Sequence, residues 1–252
     1  MSLPQLSFQR FEVTLPSDGR KVILRPYLVK EEKILLMATE SDSTQEYWNC
    51  IRELINNCSN GQIDAFLLPP FDVEYLFLKL RAKSVGESVE PSVECPKCKG
   101  KVPIVVNINE IEVVKNPAHQ SLIELEKDVA IKLKYPTIEV YEKIQNSDSQ
   151  KVGDVFQYLI NSCIESIVTK DEVHVPGKDV SEKELTEFVE SFNRNQFDKI
   201  LTFFKTFPKL QKKVNCKCIN PSCNHDFHLV LEGITNFFGY APPTKLLSTT
   251  TD

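Results

Sequence analysis

The 252 residues carry 26% charged and 41% hydrophobic side chains, with 15 Phe and 7 Tyr, too apolar for a disordered chain and long enough for one large or two smaller cored domains. The formal charge of -5, with basic and acidic residues interspersed, argues against a footprint for phosphate backbones, and no run approaches the roughly 20 apolar residues of a membrane-spanning helix. The opening Met-Ser-Leu-Pro-Gln-Leu lacks the basic start and apolar core of a signal peptide, so a reducing cytosol is expected, where clustered cysteines read as metal ligands before disulfides.

Residues 11–15 alternate, Pro16 to Gly19 signal a turn, and Val22, Ile23 and Leu24 follow, the pattern of a β-hairpin. A short helix is expected over 30–37. Ser43 and Glu46 form a capping box before Tyr47, Cys50, Ile51, Leu54, Ile55 and Cys58 at helical spacing, closed by Gly61. A third helix starts near Asp72 and carries Val73, Leu76, Phe77 and Leu80 to Gly86. Then come Cys95-Pro-Lys-Cys98-Lys-Gly100 and a strand over 102–106.

The order then repeats. Residues 129–133 alternate and 139–144 make a short helix. A longer helix carries Val152, Val155, Phe156, Leu159, Ile160, Cys163, Ile164 and Ile167. Ser181 and Glu184 cap a helix with Leu185, Phe188, Val189 and Phe192, and an aromatic helix with Phe197, Ile200, Leu201, Phe204 and Phe207 stops at Pro208. The second stretch ends on Cys216, Cys218, Cys223 and His225 before an apolar segment, 227–231.

Cys95 and Cys98 have the two-residue spacer of a zinc knuckle, and Cys218 and Cys223 flank Asn220-Pro-Ser222, which favours a tight turn. Structural zinc takes four ligands, so Cys95, Cys98, Cys218 and Cys223 are the expected set, with Cys216 the alternative to Cys218 and with His225 and His228 as further alternatives. The plainer alternative is a set of buried thiols. Such a shell leaves no open coordination position, so the zinc stabilises rather than catalyses. Cys50, Cys58 and Cys163 fall on apolar helix faces and read as core. The fold class is α+β: two pseudo-repeated units, each a β-hairpin, helices and a knuckle, joined by a four-cysteine zinc-ribbon-like site. The divisions expected are 1–114, 115–240 and a flexible tail, 241–252.

There is no phosphate-binding loop, nucleophile elbow or zinc-protease motif. His119 and His174 read as solvated loop histidines, and Glu31-Glu32 as an exposed first helical turn, because adjacent helix residues diverge by about 100 degrees. No enzyme and no small-molecule substrate are expected. A zinc ribbon contacting nucleic acid is the competing class, opposed by the net acidity; a hydrolase with an opened zinc site would need a non-cysteine ligand and a nearby base.

Residues 15–21 (Leu-Pro-Ser-Asp-Gly-Arg-Lys), 25–41, 71–86, 183–188, 196–200 and 231–238 resemble the baseplate hub proteins and hub assembly catalysts of T-even-type contractile-tail phages. The resemblance spans nearly the whole chain. It implies a late viral protein of the host cytoplasm that helps build the baseplate hub, either as a chaperone-like assembly factor or as a virion subunit. Its partners would be hub proteins, with no nucleic acid and no membrane. The assembly factor is the preferred role, shielding apolar surface on hub subunits through the aromatic helix 197–207 and through Phe237, Phe238 and Tyr240.

Overall fold

The computed structural model describes residues 8–40, 43–146 and 151–238. The chain forms two compact units. Within the described residues, the first combines those up to Ala65, Phe71–Val114 and those from Lys209 on, and the second combines Phe66–Pro70 with Lys115–Pro208.

In the first unit, β1 (Phe11–Thr14) and β2 (Lys21–Leu24) pair antiparallel, Phe11 opposite Leu24. Val13, Leu15, Val22 and Leu24 point inward and are buried, as period-two alternation requires. Gly19, at φ 76°, closes the turn by donating to Leu15 O at 3.0 Å, a conformation open to glycine at little cost. α1 (Val29–Glu40) packs on α2 (Thr44–Ser59), which also touches β2. Ser43 caps α2, its Oγ accepting from the Glu46 amide at 3.2 Å, and Asn60 ends it in the left-handed region. α3 (Pro70–Ser84) buries Val73, Leu76, Phe77 and Leu80. Short strands follow: β3 (Ser88–Val89) with β6 (Val106–Asn107), β4 (Ser92–Glu94) with β5 (Lys101–Pro103), and β7 (Glu112–Val114). The single strand expected over 102–106 is thus two, interrupted at Ile104, whose amide turns to Pro91 O at 3.0 Å.

The second unit is a four-stranded antiparallel sheet in the order β11-β10-β9-β8, from β8 (Leu122–Glu126), β9 (Val129–Leu133), β10 (Ile164–Thr169) and β11 (Val173–His174). Its helices are α4 (Ile138–Gln145), α5 (Val152–Cys163), α6 (Glu182–Glu190) and α7 (Arg194–Lys205). Ile131, Ile160, Ile164, Leu185, Ile200 and Phe203 lie in one apolar core. The helix expected to run to Ile167 ends at Cys163. The β-branched run Ile164, Ile167 and Val168 pairs with β9 instead, sheet packing overriding the helical period. The Ser181 and Glu184 capping box is present, and Asn193 with Gln196 forms a second box at the start of α7.

β12 (Lys209–Lys217), β13 (Asp226–Glu232) and the short α8 (Gly233–Phe238) return to the first unit. β12 pairs with β7, Lys209 opposite Val114, and with β13, giving the order β13-β12-β7. The sequence division at 115–240 therefore differs from the compact units, because strand pairing draws residues 209–238 into the first unit. Both cysteine pairs consequently belong to one unit and do not join two. Residues 241–252 lie outside the described residues.

Two further expectations change. Glu31 is buried, 1% exposed, in an ion pair with Arg25 at 2.8 Å, and accepts from the Leu28 amide at 2.7 Å; Glu32 stays exposed. His119 is half-buried rather than solvated, stacked on Phe203 and Tyr135. Its ring nitrogens lie 2.9 Å from Thr206 Oγ1 and 2.9 Å from the Tyr135 hydroxyl. Cys58 and Cys163 are buried, whereas Cys50 is half-buried.

Candidate metal centre

Each cysteine pair sits at the tip of a β-hairpin. Residues 95–100 join β4 to β5, which pair through Val93 and Val102; residues 218–225 join β12 to β13, which pair from Gln211 and Glu232 to Lys217 and Asp226. The two turns follow one hydrogen-bonding plan despite spacers of different length. The first cysteine's amide donates to the carbonyl two residues beyond the second cysteine, Cys95 to Gly100 and Cys218 to His225, both at 2.9 Å. The residue after the second cysteine takes positive φ, 61° at Lys99 and 41° at Asn224. Its amide turns back, Lys99 to Cys95 O and Asn224 to Asn220 O, again at 2.9 Å. Asn220 Oδ1 also accepts from the Ser222 amide at 3.0 Å, an Asx turn that stiffens the longer spacer. A Cβ on Gly100 would lie 3.3 Å from Cys98 Sγ. That close approach to sulfur is a role for Gly100 that spacing alone did not assign.

The Sγ atoms of Cys95, Cys98, Cys218 and Cys223 all lie within 4.8 Å of one another. Cys95 and Cys223 are 3.9 Å apart, and Cys98 and Cys218 are 3.5 Å apart. A disulfide would require about 2.05 Å, and none of the four is disulfide-bonded. A tetrahedron of sulfurs at about 2.3 Å from zinc has edges of about 3.8 Å, so the donor set fits that ion. Cys216 is buried in β12 opposite Phe227, and its sulfur is not in this group. His225 stacks on Phe227, and neither it nor His228 belongs to the group.

The sulfurs do not all hold their protons alike. Burial pushes the Cys95 thiol up, but the amides of Cys98 and Lys97, with the neighbouring thiols, pull it down further, to about 7. The Asn220 amide pulls Cys218 down, while burial and proton sharing with the other three sulfurs push it up to about 12. Four sulfurs thus compete for protons in one small volume, the condition a divalent cation relieves. Lys97, Lys99, Lys101 and Lys217 are exposed on the same turns and offset the negative charge of a tetrathiolate. The apolar cluster around the sulfurs has only Cys95, Val102 and Cys218 fully buried, with Val93, Ile104 and Phe227 against it. So small a core needs a cross-link of some kind to hold its shape.

Of the rings expected to meet partners, Phe203 and Phe237 are buried, and Phe197, Phe204 and Phe207 pack against the second unit's core. The side chain of Phe238 and all of Tyr240 lie outside the described residues. His174 sits on β11, its imidazole 3.6 Å from Glu172 and 3.9 Å from Asp179.

Fold and site together define a mixed α/β protein with a closed four-thiol ribbon. The family model of the T4 bacteriophage base plate protein matches residues 9–239, both knuckles included, and the chain belongs to that family. No curated protein and no solved structure matches it. Membership implies other baseplate proteins as partners and association with the virion tail. Among the described residues, no helix is long and apolar enough to cross a membrane.

Proposed function

We propose that this protein is a baseplate hub assembly factor of a T4-type phage, made in the host cytoplasm and acting by binding hub proteins without catalysing a reaction. One structural zinc held by Cys95, Cys98, Cys218 and Cys223 keeps its ribbon folded. The family match over residues 9–239 carries the baseplate reading. The convergence of four sulfurs within 4.8 Å, with no carboxylate or imidazole in the group, supports a structural ion. An ancient duplication accounts for the recurring order of hairpin, helices and knuckle, and the shared hydrogen-bond plan of the two turns supports it.

The test is a tagged copy expressed during infection, with hub proteins probed in its complexes and the chain itself sought in purified particles. An assembly factor is found with hub proteins and is missing from finished particles. Stoichiometric presence in the virion would favour the hub-subunit role instead, and salt-sensitive binding to DNA would favour the nucleic-acid ribbon.

A further inference from the structure

β13 is a seven-residue strand with one neighbour. The Cys218 amide bonds to His225 O, so alternate pairs along the hairpin share the ladder: Cys216 with Phe227, Val214 with Leu229 and Lys212 with Leu231. The backbone groups of Asp226, His228, Val230 and Glu232 then face away from β12. Glu232 O is taken by the Asn236 side chain. Among the described residues, nothing meets the other three.

Two other edges are met by side chains. Lys199 Nζ donates to Glu124 O at 2.6 Å and Gln196 Nε2 to Leu125 O at 3.4 Å along β8, and Gln62 Oε1 accepts from the Ile23 amide of β2 at 3.0 Å. β13 also lacks the lysine or proline that usually blunts an open edge. On one face of that edge Phe227 and Leu229 are half-buried; on the other Val230 is 47% exposed, with Lys213 opposite it and Lys217 opposite Asp226. Segments 88–106 and 209–232 hold seven lysines against four carboxylates in a chain of net charge -5.

We propose that the open edge of β13 is the docking site for an extended strand of another baseplate protein, one with an apolar row on one face and an acidic side chain at the middle of the other. Backbone pairing at Asp226, His228 and Val230 adds it to the sheet. Its apolar row covers Phe227 and Leu229, and an acidic side chain on its other face reaches Lys213 across the short Val230 side chain, while Asp226 and Glu232 on that same face of β13 disfavour carboxylates beside them. This rests on the baseplate reading above.

The probes are the baseplate proteins of the same phage, purified one by one, with binding and amide exchange measured on the full chain. The expected result is one binder that protects the amides of Asp226, His228 and Val230. Val230→Pro, which removes an amide the hairpin does not use, weakens that binding by about tenfold or more, a loss of about 1.4 kcal/mol. Val230→Glu does the same by setting a like charge before the partner's acidic side chain, while Lys213→Glu makes binding weaker and less salt-sensitive. Metal content and circular dichroism of the variants show that the ribbon is intact. Binding that survives both Val230 variants, or protection elsewhere, overturns the edge while leaving the baseplate role standing. Self-association abolished by Val230→Pro would replace the partner by a second copy, and no binder at all would sink both readings.

Discussion

Asp72, fully buried at the start of α3, accepts from the Ser17 amide at 3.1 Å and from the Ser17 hydroxyl, tying the helix to the β1–β2 turn. Burial outweighs these bonds and pushes its carboxyl up to about 6. A carboxyl whose folded pKa is raised holds its proton longer in the folded state. Its contribution is therefore complete below the unfolded value of about 4 and is lost as pH rises through about 6, a swing on the order of 2–3 kcal/mol. Asp72→Asn keeps the shape without the charge, so the difference in denaturant midpoint between variant and parent should move in the variant's favour from pH 4.5 to pH 7.5; a constant difference would refute this. Glu31 works in the opposite sense. Burial pushes it up, but Arg25 and the Leu28 amide pull it below its usual range, so its stabilisation is present above about pH 4.5 and fades in acid. Glu31→Ala strands the Arg25 guanidinium and should cost on the order of 3 kcal/mol in urea unfolding. Burial, then Lys115, pull the His119 imidazole below its usual range, and His119→Ala should loosen the second unit by about 2 kcal/mol, read from exchange of the β8 and β9 amides.

Among the elements, hairpins and knuckles were legible in the sequence because a turn and its flanking alternation lie within about ten residues of each other. The Ser181 and Glu184 capping box was legible for the same reason, and so was Ser43 as the cap of α2, although the reciprocal box at Asn193 and Gln196 went unread. Two things were not. Ile164, Ile167 and Val168 fit a helical stripe as well as a strand, and only the neighbouring β9 decides between them. Glu31 looks like any solvated first-turn carboxylate until Arg25, six residues away, is seen beside it. The spacing that marked Cys95, Cys98, Cys218 and Cys223 is local within each pair; that all four meet is a long-range fact of strand pairing. Removing metal with a chelator should expose amides in 88–106 and 209–232 while those of β8 to β10 stay protected. Cys98→Ser should lower zinc per chain well below one and reproduce that pattern; full zinc retention would dismiss this ligand set.

For the whole molecule, the decisive contact is between β7 and β12. Lys115–Pro208 enters the chain after Val114 and leaves before Lys209, and those two residues are directly paired. Antiparallel partners have Cα atoms only about 4.5–5.5 Å apart. The long excursion thus begins and ends at almost the same point, and the ribbon experiences it much as it would a tight turn. Changes in its length and sequence should leave the thiol cluster undisturbed, as with a bulb that can be swapped because its socket never changes. Replacing residues 115–208 by an Asn-Gly turn should leave a shorter chain that still folds around the cysteines and still takes up zinc.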